Sequence, residues 1–162
     1  MNPISYWQRL KVAFQYVMPQ IYMTQAAGWL AKQKWGAVTH FVIKAFAKKY
    51  NIDMSIAEKE KFSDYASFNE FFIRPLKENA RPINQNPTAL CCPADGRVSE
   101  CGHIDDDRLL QAKGHFFSLN DLLAEDKDLT ETFKNGEFVT TYLSPRDYHR
   151  VHMPCDGTLR KM

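Results

Sequence analysis

Residues 142–154, with the sequence YLSPRDYHRVHMP, hold two histidines, two arginines, an aspartate and two tyrosines near two turn signals, Ser144-Pro145 and Asp156-Gly157. Because each buried polar group needs a hydrogen-bond partner, a segment this rich in polar side chains is costly to fold for packing alone. We therefore interpret it as a functional site around which the rest of the chain is organised.

The charges of the 162-residue chain are unevenly distributed, although its net charge is only +2. Residues 1–52 contain seven Lys and Arg residues, all three tryptophans and no acidic residue, whereas the remainder contains 14 basic and all 19 acidic residues. An apolar content of 44% and a charged content of 25% are ordinary for a globular protein. The chain therefore has two compositional halves.

Apolar residues in the basic half recur every three or four positions, as they do on one face of a helix. These positions are Trp7, Leu10, Phe14, Val17 and Ile21, and later Val38, Phe41, Val42, Ala45 and Phe46. We expect Pro19 to end a first helix, Thr24 to cap a second and Gly36 to separate it from a third. No uninterrupted apolar run approaches the ~18 residues of a membrane-spanning helix.

Two interpretations of these helices stay open. They can pack their apolar stripes on a core of their own, or they can lie in a membrane interface with aromatic residues in the lipid. The absence of Asp and Glu favours the membrane, where each basic residue near an anionic surface contributes ~1 kcal/mol. Both arrangements can hold together on different faces.

Local signals predict the next elements. A capping box at Ser67-Phe68-Asn69-Glu70 starts a short helix. Pro75, Pro82 and Pro87 then exclude a long helix or an inner strand. After residue 89 the period changes to two, and we expect strands at 89–92, 97–104, 109–113, 138–143 and from 158 onward.

Turn and cap residues divide these strands. The Asp95-Gly96 pair predicts a hairpin turn between the first two strands. Short helices are expected after Ser118, which begins a second capping-box-like sequence, and at 130–134, ended by Asn135-Gly136. One pattern occurs twice, as Pro93-Ala94-Asp95-Gly96 and Pro154-Cys155-Asp156-Gly157, which is weak evidence for a duplicated unit.

The candidate catalytic residues are His149 and His152. Three interpretations are open: metal ligands, structural histidines, or a general base that a carboxylate orients, since histidine titrates near neutrality. The carboxylate can be Asp95, Asp147 or Asp156, and each of these also has an ordinary explanation as a turn residue. Spacing alone does not choose among them.

Four runs of the sequence resemble those of bacterial phosphatidylserine decarboxylases, in order and spacing. They are FNEFFIRPL (68–76), PADG (93–96), QAKG (111–114) and YLSPRDYHRVHMP (142–154), and the basic, aromatic N-terminal region resembles that of the family as well. The resemblance covers essentially the whole chain, and the last run is too long for chance agreement.

The resemblance implies a pyruvoyl-dependent carboxy-lyase made as a proenzyme, which cuts itself at a Gly-Ser bond. The serine becomes the pyruvoyl group of a small α chain, and this group then serves as the electron sink for decarboxylation. Asp95 and His152 match the family's charge-relay pair, and His149 matches a histidine implicated in decarboxylation. In this arrangement His152 takes the serine proton and Asp95 stabilises the imidazolium.

The same resemblance implies phospholipid synthesis on the cytoplasmic face of the cell membrane, by a peripheral protein. The expected partners are the α chain of the same proenzyme, the phospholipid membrane and a second αβ pair in a homodimer, with no nucleic acid and no metal. Arg146, Arg150 and Lys113 are candidate contacts for the anionic headgroup by their charge.

The family's Gly-Ser motif does not occur in this sequence. We therefore expect a proenzyme truncated before its cleavage site, which alone neither cuts itself nor decarboxylates lipid. Two other function classes stay open: a membrane-binding module without catalysis, and a metal hydrolase that uses His149 and His152.

The expected fold is α+β, with amphipathic N-terminal helices before a mostly antiparallel, barrel-like sheet, in a barrel-sandwich arrangement if the P-x-D-G repeat marks a duplication. We divide it into a helical membrane-association region (1–52), a connector with a short helix (53–88) and a β-rich catalytic domain (89–162), incomplete at its C-terminal end.

Overall fold

The computed structural model describes residues 19–106, 108–111 and 115–160. The fold is α+β, as predicted. In chain order the elements are α1 (Gln20–Ala31), α2 (Ala37–Tyr50), a 3₁₀ turn (Phe62–Asp64), α3 (Phe68–Phe72), β1 (Arg97–His103), β2 (Arg108–Gln111), β3 (His115–Ser118), α4 (Leu119–Leu122), α5 (Lys127–Phe133) and β4 (Glu137–Tyr142).

Pro19 and Gly36 set the starts of the first two helices. The helix predicted before Pro19 lies outside the described residues, and α1 begins directly after this proline, so the prediction that Thr24 caps the second helix is wrong. Proline suits this position because its fixed φ is compatible with a helix start. Gly36 separates α1 from α2 as predicted, with a φ of +56° that favours glycine.

Helix α1 buries none of its residues. Large apolar side chains therefore face outward along it, including Ile21 and Tyr22, each 72% exposed. Helix α2 buries Thr39, Ile43 and Ala47 on one face. Within the part of the chain that the structure describes, no helix combines the length and the apolar character needed to cross a membrane.

An aromatic core joins α2 to the residues that follow it. Ile43, Ala47, Tyr65 and Phe71 are buried together, and the Tyr65 and Phe71 rings meet edge to face with centroids 5.6 Å apart. The core thus extends into the predicted connector, although the proposed division into three regions stays a prediction.

The predicted capping box holds α3 in this core. The Ser67 hydroxyl accepts a hydrogen bond from the Glu70 backbone N–H at 3.2 Å. The Glu70 carboxylate accepts from the Ala66 N–H and pairs with Lys59 at 2.6 Å, and these two contacts hold the pKa of Glu70 below its usual range. The capping box thus fixes the start of α3, and the proline-rich segment follows directly after this helix.

Residues 73–96 form no helix and no named strand, as the prolines predict. Backbone hydrogen bonds hold this segment against the chain before α3, from Glu58 N–H to the Pro75 carbonyl and from Lys77 N–H to the Ile56 carbonyl. The predicted strand at 89–92 is absent, so the hairpin expected at Asp95-Gly96 is wrong.

Strand β1 instead pairs antiparallel with β4, about 40 residues later in the chain. Gly96 stands at the entry to β1, where a Cβ atom would lie 2.5 Å from the Tyr142 carbonyl oxygen. Only glycine permits this close approach, which fixes the position of Asp95 beside the end of β4. Gly96 therefore permits a close contact between β1 and β4, and Asp95-Gly96 does not form a hairpin turn.

Of the remaining short elements, α4 begins after Ser118 as predicted, whereas strand β3 and the cap of α5 were not predicted. Strand β2 pairs antiparallel with β3, and the Ser118 hydroxyl caps α4 by accepting from the Asp121 N–H. Helix α5 begins at Lys127, earlier than expected, because the Asp126 carboxylate caps it. Residues 158–160 form no strand, in contrast to the prediction. Among the described residues the two sheets have two strands each, and neither closes into a barrel.

We expect Phe71→Ala to lower the free energy of unfolding by about 3–5 kcal/mol, because the ring is fully buried and its loss leaves a cavity. The matched control is Phe41→Ala, whose ring is 73% exposed and whose loss should change stability by less than ~0.5 kcal/mol. Urea unfolding followed by circular dichroism measures both, and equal losses in the two variants would contradict this core.

Candidate active site

The segment 142–154 leaves β4 and forms a tight turn. The Asp147 carboxylate accepts hydrogen bonds from the backbone N–H and the hydroxyl of Ser144, at 2.6 and 2.7 Å. Burial raises the pKa of Asp147, but the Ser144 hydrogen bonds outweigh that effect and hold it below its usual range. Of the three candidate aspartates, Asp147 is thus engaged in its own turn.

Three contacts fasten this segment to the end of α3. The His149 ring stacks on Phe72 with centroids 4.0 Å apart, and Arg150 Nε donates to the Ile73 carbonyl at 2.7 Å. Arg74 Nη2 donates to the Arg146 carbonyl at 3.2 Å. The run 68–76 and the run 142–154, which are far apart in sequence, therefore form one structural unit.

The two P-x-D-G sequences lie side by side and bind each other reciprocally. The Cys91 N–H donates to the Pro154 carbonyl and the His152 N–H to the Pro93 carbonyl, both at 2.8 Å. In each copy the donor lies two residues before the proline and the acceptor is the proline itself, so the contact has local two-fold symmetry. This contact brings the Asp95 turn next to His152.

Asp95 and His152 line the same cleft, which has a volume of about 710 Å³. The Asp95 carboxylate forms an ion pair with Arg81 through Oδ2. His152 Nε2 lies 2.9 Å from the Tyr148 hydroxyl, and the two rings stack with centroids 5.5 Å apart. No hydrogen bond joins Asp95 to His152 among the described residues, so their charge-relay roles stay a prediction.

His149 has different surroundings from His152. Its Nε2 lies 3.0 Å from the Ser144 carbonyl oxygen, which can only accept, so Nε2 donates in this contact. The two histidines therefore share no partner. In the described ranges no group of three or more His, Cys, Asp and Glu residues is placed to hold a metal ion.

The structure adds three residues to which the sequence pattern assigned no role: Arg81, Tyr148 and Arg74. Tyr148 and Arg74 lie in the conspicuous runs, but Arg81 lies outside them and nothing in the sequence links it to Asp95. Arg74 is only 2% exposed, burial lowers the pKa of its guanidinium, and its Nε and Nη1 find no acceptor among the described residues.

Of the candidate headgroup contacts, Arg146 has a side chain that is 68% exposed, and Nε of Arg150 is occupied by the Ile73 carbonyl. Lys113 lies outside the described residues.

The chain matches two family models. The model for phosphatidylserine decarboxylase matches residues 68–162, and a second, described as PSD, matches residues 10–51. The first match includes the turns, the histidines and the α3 contacts described above.

Similar proteins carry one name. The chain is 89% identical over all 162 residues to the phosphatidylserine decarboxylase proenzyme of Haemophilus influenzae strain Rd, and covers 56% of that protein. It is 77% identical over 159 residues, 98% of the chain, to that of Pasteurella multocida, and covers 54% of it. The chain thus spans about half the length of the curated relatives it matches.

We expect Asp147→Asn to lower the free energy of unfolding by about 1 kcal/mol at pH 7, because it removes the charge that accepts both Ser144 donors. The contribution is complete above the usual carboxyl pKa of 3.8 and is lost as the pH falls through the lower folded-state value, so variant and wild type converge in acid. Urea unfolding between pH 7 and pH 3 measures this.

The control for this substitution is Asp156→Asn, since the Asp156 carboxylate has no partner among the described residues. A stability difference between Asp147→Asn and wild type that stays constant over the whole pH range would contradict the electrostatic explanation.

Proposed function

Because this chain belongs to the phosphatidylserine decarboxylase family, we propose that it is part of a proenzyme that cuts its own backbone and then converts phosphatidylserine to phosphatidylethanolamine and carbon dioxide. The observation that carries the proposal is the reciprocal contact of the two P-x-D-G turns, since it brings Asp95 and His152 to one cleft. The segment 142–154, costly to fold for packing alone, then has a catalytic purpose.

In this proposal His152 is the general base of self-cleavage. The Tyr148 hydroxyl holds its Nε2, and a serine hydroxyl that displaces Tyr148 there would deliver its proton to the imidazole. Asp95 can stabilise the resulting imidazolium without losing Arg81, because a carboxylate has two oxygens and Arg81 occupies only Oδ2. Arg81 would then orient Asp95 for His152.

The 710 Å³ cleft has the size of a small-molecule site, and it offers a base, a carboxylate and an arginine to a group bound there. A pyruvoyl group in this cleft would supply the electron sink for decarboxylation. His149 does not line this cleft, and its proposed role in that step rests on its match to the family's histidine implicated in decarboxylation.

The membrane is the proposed partner of the N-terminal helices. Helix α1 has no buried residue, and α2 exposes Val38, Phe41 and Val42 beside the exposed lysines Lys44, Lys48 and Lys49. Apolar and basic residues together suit the interface of an anionic bilayer. We place the protein peripherally on the cytoplasmic face of the cell membrane.

The assembly completes the proposal. The partners are the α chain of the same proenzyme and a second αβ pair in a homodimer. The barrel-like sheet belongs here too, since each of β1 and β4 pairs with one strand in the described ranges and further strands would be needed for closure.

Self-cleavage is the direct test, in a chimeric proenzyme that joins this chain to the remaining part of the Haemophilus influenzae relative. We expect the unmodified chimera to separate into two chains on a denaturing gel and to decarboxylate phosphatidylserine. Asp95→Asn and His152→Ala should stay uncut and inactive, since the serine proton then has no acceptor or the imidazolium no partner.

The matched controls are Asp156→Asn, in the equivalent turn, and His103→Ala, an exposed histidine on β1. Both should be cut like the unmodified chimera. If Asp95→Asn and His152→Ala were also cut and active, the roles proposed for Asp95 and His152 would be wrong. An unmodified chimera that is neither cut nor active would contradict the catalytic proposal and favour a binding module.

Vesicle binding tests the membrane proposal. The chain should cosediment with vesicles that contain phosphatidylglycerol more strongly than with neutral phosphatidylcholine vesicles, and salt should weaken the difference. Phe41→Asp should reduce binding, whereas Leu159→Asp, at an exposed position outside the helices, should not. Equal binding to both vesicle types would remove the electrostatic part.

A further inference from the structure

A second cleft, with a volume of about 910 Å³, adjoins the one that holds His152. Its lining includes four arginines, Arg74, Arg81, Arg97 and Arg146, and we call it the arginine cleft. The two clefts share Asp95, Arg81 and Tyr148 in their walls. A molecule bound in the arginine cleft would therefore contact Asp95 and lie next to the cleft that His152 lines.

The carboxylates of the arginine cleft are already engaged. Asp53 accepts hydrogen bonds from Ser55, Asp95 pairs with Arg81, and Asp147 accepts from Ser144. The serine hydrogen bonds leave the charges of Asp53 and Asp147 in place, and Asp147 also pairs with Arg146 Nε at 3.7 Å. Four arginines thus face three aspartates in the lining of the cleft, which leaves it a net charge of +1.

Arg97 and Arg74 are the two arginines of this lining that form no ion pair with a described residue, whereas Arg81 pairs with Asp95 and Arg146 with Asp147. Arg97 is exposed, and its side chain makes no ion pair or hydrogen bond with any described residue. Arg74 is buried, and its Nε and Nη1 lack acceptors. Because little water surrounds the Arg74 guanidinium, its field reaches into the cleft with weak screening, and an unpaired buried charge of this kind is costly unless an anion offsets it.

We propose that the arginine cleft binds an oxyanion of the substrate headgroup, with Arg97 and Arg146 making the contacts and Arg74 supplying the buried charge behind them. The proposal rests on the proposed function for its substrate. A phosphodiester and a carboxylate offer guanidinium groups the same chemistry, and both are present in a serine phospholipid. In either case the bound anion positions the rest of the headgroup toward His152 in the adjoining cleft.

The proposal changes the set of candidate headgroup contacts. Arg146 stays a candidate contact, and Arg97 is added as a second one. Arg150 lines the His152 cleft, but its Nε already donates to the Ile73 carbonyl. Its role is therefore to hold the segment 142–154 against the end of α3.

The test uses the chimeric proenzyme with Arg97→Gln and Arg146→Gln, and with Arg160→Gln as a control of equal charge change at an exposed position outside both clefts. Self-cleavage needs no headgroup and serves as the check on the proposed function. We expect the KM for dispersed short-chain phosphatidylserine to rise about tenfold in Arg97→Gln and Arg146→Gln, with kcat within about twofold. Arg160→Gln should match the unmodified protein.

Measuring anion binding directly tests the arginine cleft without relying on decarboxylase activity. Calorimetric titrations with inorganic phosphate and with serine distinguish the two ends of the headgroup: weaker phosphate binding in Arg97→Gln assigns the phosphodiester to the cleft, and weaker serine binding assigns the carboxylate. Either result supports the oxyanion site, even if the chimera does not cleave itself.

The proposal is overturned if neither anion binds the unmodified chimera, or if Arg97→Gln and Arg160→Gln bind both equally well. A fall in kcat at unchanged KM in Arg97→Gln would also overturn it, because that pattern indicates a role in the chemical step instead of headgroup binding.

Discussion

The two hydrogen bonds between the P-x-D-G turns are the constraint on which the candidate site depends. Each turn presents a proline carbonyl, and each carbonyl accepts from the backbone two residues before the other proline. Backbone donors and acceptors hold this arrangement, so the side chains of Asp95, His152 and Cys155 stay available for other contacts. Gly96 adds a second restriction, because its lack of a Cβ lets β1 start against the Tyr142 carbonyl.

The other end of the segment 142–154 depends on α3. The same aromatic core that buries Phe71 presents Phe72 to His149, and the residues after the helix contribute the Ile73 carbonyl and the Arg74 guanidinium. Burying Arg74 costs free energy, since two of its nitrogens lack acceptors. In the proposed oxyanion site, a bound anion would offset the charge of Arg74.

The N-terminal helices differ from the site, because the groups that they leave without a packing partner are apolar side chains instead of a charged group. Helix α2 divides its faces between the core and the exterior, whereas α1 leaves all its residues at least partly exposed. One face of α2 thus packs on a core, as the first interpretation expects, whereas α1 buries no residue in the described ranges; contact of either helix with a membrane stays a proposal. In the proposed function, the arginine cleft would bind the anionic headgroup of a lipid and the exposed helices would contact the bilayer that contains this lipid.

From the sequence alone, the α+β class, the capping box at Ser67, the cap at Ser118 and the break at Gly36 could be predicted, because each depends on interactions within a few residues. The run 142–154 identified the candidate site through its composition.

Only the tertiary structure decided that β1 pairs with β4, that Arg81 is the partner of Asp95, and that the Tyr148 hydroxyl contacts His152. The local sequence does not determine which distant strand or charged group contacts a given residue, since these contacts depend on how the whole chain packs. Asp95-Gly96 illustrates the difference: its sequence predicts a turn, and the close approach of β4 determines that the turn opens a strand beside the site.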